Sequence, residues 1–229
     1  MTSNENELIK AIERSWVVRF PKQHLMTFGT TNISYYVVTE PIYQEIDSTN
    51  QNSANQESVI RTGRVIANKP TIITPTYAMS LDGFSQEAYQ YLQHISQEYG
   101  PNSPGILYQY KKQAEKVEIV GGQAPTIAQR ISSDLDNRDD NMSVVMVGVD
   151  ELWDVALLKF MYEFTSSSST QNVREFQNKG LLEPQAGYDG TPQAAIQKIQ
   201  QLFYETERGG DPDALKSELD RWGLFRHFQ

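Results

Sequence analysis

ISYYVVTEPIYQEI, Ile33 to Ile46, and SVIRTGRVIA, Ser58 to Ala67, flank a polar run with no large apolar anchor. Both flanking stretches are rich in Val, Ile and Tyr, which fit a pleated, half-buried surface. Two such stretches around a polar connection predict a long β-hairpin. Pro41 has no amide hydrogen for a ladder, so it belongs at an edge or a bulge. The connection, residues 47–57, reads as a flexible loop because its composition cannot bury enough surface to order itself. A loop of that length costs little in closure entropy.

Upstream, Leu8, Ile9, Ala11, Ile12, Trp16 and Val17 recur at helical spacing, so a helix is expected from Glu5 to Val18, ended by Pro21. Downstream, Ile72 and Ile73 form a short apolar piece, and Phe84 to Tyr99 reads as a helix closed by Gly100 and Pro101. Ile106–Tyr110 and Val117–Val120 read as two strands joined through Lys111 to Lys116. Pro125 opens a helix to about Leu135, and Ser143–Gly148 reads as a buried strand. Beyond that the pattern turns helical. Glu151–Phe164 is apolar nearly all round. Ser166–Ser169 is expected to interrupt it, before a short helix from Gln171 to Lys179. Thr191–Pro192 and Asp211–Pro212 are two cap-and-proline starts for the last helices.

The expected class is therefore α+β: mostly antiparallel strands packed with helices in the N-terminal two-thirds, and an all-helical C-terminal third. The parts are 1–149 and 150–229, expected to fold as one cooperative domain, as a chain of 229 residues can.

Composition excludes several function classes. Cysteine is absent, which removes disulfides, thiolate nucleophiles, iron–sulfur clusters and Cys-ligated zinc. The net charge of −9 repels polyanions on average and argues against non-specific nucleic-acid binding. Met1–Glu7 has neither a basic nor an apolar region of the kind a signal peptide needs. No apolar stretch is long and uncharged enough to insert in a membrane. The expected location is cytoplasmic, with no cofactor.

Several local patterns invite chemistry. Val144–Val149 followed by Asp150 and Glu151 has the form of a Walker B strand, but no Gly-Lys pair occurs to cradle phosphates. Asp150 then reads as a cap for the next helix. Gly121 and Gly122 precede a helix N-terminus where phosphate can bind, without the G-x-G-x-x-G spacing. Asp134, Asp136, Asp139 and Asp140 crowd one segment and suggest a metal-dependent enzyme. Arg138 stands where an EF-hand needs a ligand. Tyr108 and Tyr110 are interleaved with Lys111, Lys112 and Lys116, a mixture able to bind single strands, but in so acidic a chain it reads first as a core-facing strand with a lysine-guarded edge. His24, His94 and His227 stand apart from one another, and no G-x-S-x-G elbow occurs.

Val173-Arg174-Glu175-Phe176, then Gly180-Leu181-Leu182-Glu183-Pro184, resembles the end of the DNA-reading helix and wing of MerR-type regulators. The resemblance spans 28 residues, Leu157 to Pro184. It implies a helix-turn-helix transcriptional regulator with Gln171, Asn172, Arg174 and Asn178 facing DNA. Glu175 breaks the aromatic pair usual in that family, and the segment lies late in this chain. The same Gly180 also reads as a helix C′ residue with an apolar contact from Leu181 or Leu182.

Trp222, Leu224, Phe225 and Phe228 form an apolar end that either docks on its own domain or is offered to a partner. With no catalytic constellation in view, the expectation is a non-enzymatic protein. It would act through contacts with an unidentified protein partner, or a second copy, as an adaptor, assembly factor or regulatory subunit.

Overall fold

The computed structural model describes residues 3–43, 56–83 and 85–228. The expected flexible loop at 47–57, apart from Gln56 and Glu57, lies outside them, as do Ile46 and Phe84. The fold is α+β. Its contacts divide the chain into two compact units, Met1–Lys69 with Gln109–Thr170, and Pro70–Tyr108 with Gln171–Gln229. This division does not follow a cut at 149/150: each unit is assembled from two separate stretches of chain.

The first unit holds α1 (Ser3–Glu13), β1 (Trp16–Arg19), β2 (Thr31–Glu40), β3 (Glu57–Ala67), β6 (Tyr110–Gly121), α4 (Ala124–Asn137) and β7 (Ser143–Val149). It also holds residues 153–170 of α5 (Trp153–Asn178). Its five strands lie in the order β1-β7-β2-β3-β6. The expected hairpin is there: β2 and β3 pair antiparallel from Thr31↔Ala67 to Thr39↔Val59. β7 runs parallel to β2, since the chain crosses through α4 before it. Side chains alternate across the pleat. On one face Val38, Ile60, Val145 and Val147 pack with Ile127, Ala128 and Leu135 of α4. On the other, Tyr35 stacks on Trp153 of α5 at 6.2 Å. Gly63 in β3 lies directly against the Tyr35 ring and the Gln113 carbonyl, with no room for a Cβ.

Three local expectations fail in this unit for identifiable reasons. The first helix stops at Glu13, because Trp16 and Val17 leave it to pair with Val147 and Met146 of β7. Tertiary pairing here outweighs helical spacing. Lys111–Lys116 does not separate two strands. β6 is one continuous strand that pairs with β3 over its length and absorbs Glu115 as an irregularity opposite Thr62 and Gly63. Ser166–Ser169 does not break the helix: the hydroxyls of Ser167, Ser168 and Ser169 donate to carbonyls three or four residues back, inside one 26-residue helix.

The second unit holds β4 (Thr71–Ile73), α2 (Pro75–Met79), α3 (Gln86–Tyr99), β5 (Gly105–Leu107), the end of α5, β8 (Pro184–Gln185), β9 (Thr191–Pro192), α6 (Gln193–Glu207) and α7 (Pro212–Trp222). Its C-terminal part is helical apart from the two-residue ladder of β8 and β9. Thr191 and Pro192 belong to that ladder, so α6 begins at Gln193 with no side-chain cap. Asp211 does cap α7, accepting the Asp213 amide at 2.9 Å. Ile196, Ile199, Leu215, Leu219, Trp222 and Leu224 form the main core of this unit.

Candidate functional site

The helix carrying the MerR-like string is continuous from Trp153 to Asn178. The two-helix unit with a Ser-rich turn is therefore not formed. Gln171, Arg174 and Asn178 are exposed, but Asn172 is fully buried and its Oδ1 accepts the Tyr108 hydroxyl at 2.7 Å. The string after it is a helix stop. Gly180 takes φ 65°. Its amide donates to Gln177 O at 2.9 Å, and the Leu181 amide donates to Phe176 O at 3.0 Å. That pair of bonds is a Schellman motif, and its apolar contact is the packing of Leu181 on Phe176.

The C-terminal apolar residues divide. Leu224 is buried, and its amide closes a second Schellman motif on Leu219 O at 2.9 Å. Trp222 is buried against Tyr77 at 4.8 Å, and its Nε1 donates to Glu218 at 3.0 Å. Phe228 stacks on Tyr188 at 5.6 Å and packs on Phe203 at 5.2 Å. Only Phe225 keeps substantial exposure. The tail is thus mostly core of its own unit.

The acidic segment is spent on structure. Asp134 and Asp136 lie in the last turn of α4. Asp136 accepts from buried Arg19 at 3.1 Å and pairs with Lys22 at 3.1 Å. Those two cations, Lys22 first, hold its carboxyl below the usual Asp range. Arg19 also donates to the carbonyls of Ser143 and Asp140. Asp139 is the C′ residue of α4 at φ 54°. Among the described residues, no group of three or more His, Asp or Glu could hold a metal ion.

Asp150, three residues before α5, turns its Oδ1 to Arg61 at 2.7 Å and to the Thr39 hydroxyl at 2.7 Å. The Arg61 guanidinium also lies 5.8 Å from the Trp153 ring centre, and the Lys112 ammonium lies 4.7 Å from it. Gly122, at φ 124°, fills its turn as packing: its amide donates to Gln56 O, and a Cβ there would press on Ile127.

β6 is an edge strand of the five-stranded sheet. It is the outermost strand beside β3, and among the described residues no strand pairs with its other edge. Its basic and aromatic residues are largely engaged. Tyr110 bonds Thr165 at 2.5 Å, Lys112 sits over Trp153, Glu115 faces Arg64 at 3.7 Å, and Lys116 pairs with Glu118. Its exposed large apolar residues are Val117, 64% exposed, and Ile119, 62% exposed, two residues apart on one face. The irregularity at Glu115 separates this half from Tyr110–Ala114, which carries Lys111 and Lys112. The spacing of Val117 and Ile119 was readable as strand. Their exposure was not, because β6 becomes an edge only once β3 is placed beside it.

A cavity of about 480 Å³ also opens in the first unit. It lies where β2 and β7 end and takes in Lys10 of α1, Arg14 in the turn after it, Trp16, Glu40, Asp150 and Glu151. Among the described residues no helix is long and apolar enough to cross a membrane. No family model, curated protein or solved structure matches this chain.

Proposed function

We propose that this chain works through protein contacts, as an adaptor, assembly factor or regulatory subunit. In this reading, an extended segment of a partner adds to the sheet at Lys116–Val120 of β6. The observation that carries it is the outer edge of β6 with Val117 and Ile119 standing exposed on one face. An unpaired edge offers a row of backbone donors and acceptors, and alternate side chains supply selectivity. Edges that proteins keep free of partners carry lysines, as the first half of β6 does at Lys111 and Lys112. The second half keeps Lys116, paired with Glu118, on one face and places the apolar β-branched Val117 and Ile119 on the other.

The fitting occupant is a strand of another protein with apolar side chains at alternate positions.

The test compares tagged wild-type chain, Ile119→Lys and Leu158→Lys, purified from native cells with light scattering and mass spectrometry. Leu158 is a similarly exposed residue on α5. A stoichiometric partner kept by Leu158→Lys and lost by Ile119→Lys supports the reading. A strict monomer with no partner, or a partner indifferent to Ile119→Lys, overturns it.

A further inference from the structure

In the second unit, α3 is a helix whose apolar side chains are incompletely covered. Ser85 caps its start, accepting the Ala88 amide at 3.3 Å. Gly100 ends it at φ 97°. The helix packs on α2, and its Tyr89 hydroxyl donates to Leu81 O at 3.0 Å. Yet none of its 14 described residues is buried. A helix of this length is marginal by itself and ordinarily gains its stability by burying an apolar face.

Ala88, Tyr91, Ile95 and Tyr99 follow one another at intervals of three and four residues, so they form one stripe along the helix. Tyr91 is 64% exposed and Tyr99 is 62% exposed, while Ala88 and Ile95 are half-buried. The stripe runs about three turns, roughly 16 Å. Glu87, His94 and Glu98 each precede a stripe residue by one position, so they form a parallel row beside it. All three are exposed, and His94 stands 3.7 Å from Glu98. Glu87 accepts from its own amide and from the Ser85 hydroxyl, and these bonds hold its carboxyl below the usual Glu range. Residues 70–109 carry Asp82, Glu87 and Glu98 but no lysine or arginine. The apolar stripe is thus bordered by carboxylates that no cation of the same segment offsets.

We infer that this face of α3 docks a basic amphipathic helix of a partner protein. The partner's apolar row packs along Ala88, Tyr91, Ile95 and Tyr99, and its lysines or arginines meet Glu87 and Glu98. Amphipathic helices dock in this way through anchors spaced three and four residues apart. Tyrosines are common interface anchors, and their ring faces also take a Lys or Arg. Charge complementarity selects this occupant over others. A second copy docking through the same face brings more carboxylates and no lysine or arginine to meet them. A nucleic acid sets its phosphates against the same carboxylates.

Fluorescence anisotropy on the full chain tests this with four labelled peptides of about 18 residues, five helical turns. Two carry leucine at helical spacing with lysine, or with arginine, at the other positions. The third replaces the basic residues by glutamate, and the fourth scrambles the leucine–lysine order. The expected result is saturable one-to-one binding of a basic amphipathic peptide, about tenfold or more tighter than the acidic or scrambled one. Tyr91→Ala and Tyr99→Ala should each weaken it about fivefold or more. Glu98→Gln should flatten its dependence on salt. All three positions are exposed, and circular dichroism checks that each variant is folded. Ile119→Lys should leave this binding unchanged, so the α3 and β6 surfaces stand or fall separately. No saturable binding of either basic peptide overturns the inference. So does equal binding of the scrambled peptide, or a salt dependence that Glu98→Gln leaves unaltered. Binding indifferent to both Tyr91→Ala and Tyr99→Ala also overturns it, since that marks general attraction to an acidic chain.

Discussion

Arg61 Nη1 lies 2.7 Å from Asp150 Oδ1, tying β3 to the turn that follows β7 across the intervening β2. Thr39 of β2 completes the link: it donates to Asp150 at 2.7 Å and accepts from Arg61 at 2.9 Å. Both charged side chains are about one-fifth exposed, so solvent screens the pair only in part. Asp150→Asn is expected to destabilise the fold by about 1.5–3 kcal/mol, the range for a hydrogen bond to a charged group. Urea unfolding measures it. A double-mutant cycle with Arg61→Met should show that most of the loss is shared between the two residues.

Asp136 sets an acid-sensitive contact. Lys22 and Arg19 hold its folded pKa below the unfolded value of about 3.9. Its contribution to stability is therefore present above the unfolded pKa and is lost as pH falls through the folded one. Asp136→Asn removes that dependence. The variant should be less stable than wild type at neutral pH, and the gap should narrow as the pH is lowered below about 4. Urea midpoints measured from pH 7 to pH 2.5 test the direction; a gap that widens in acid contradicts it.

The C-terminal apolar residues should separate into core and surface. Leu224→Ala is expected to cost about 2–4 kcal/mol, because Leu224 is 1% exposed and anchors the turn after α7. Phe225→Ala should stay within about 0.5 kcal/mol, since that side chain is 38% exposed. Thermal melts of the two variants distinguish a docked tail from one offered to a partner. Equal, small effects would show that Leu224 is not held.

How far the sequence could be read depended on which contacts each segment uses. The β2–β3 hairpin was legible because its Val-, Ile- and Tyr-rich flanks and polar connection are neighbours in the chain. The α7 start was legible because Asp211 and Pro212 do their work within one turn. The end of α1 was not: Trp16 continues a helical spacing and leaves it only because β7, more than a hundred residues later, offers Val147 as a partner. Ser166–Ser169 misled for a different reason. Serine competes with helix in isolation, yet here its hydroxyls bond the preceding turn, and Ser168 also accepts the Leu25 amide at 3.2 Å. The edge at Val117 and Ile119, and the cavity beside Lys10 and Glu40, arise from strand order. Composition and spacing carry no record of it.

The contact surface is most directly tested by photo-crosslinking in native cells. A benzophenone side chain is placed in turn at Val117, Ile119, Lys111 and Leu158, and adducts are identified by mass spectrometry. The account predicts one partner protein captured at Val117 and Ile119, with little or none at Lys111 and Leu158. Absence of any adduct at Val117 and Ile119, or stronger capture of the same partner at Leu158, would contradict it.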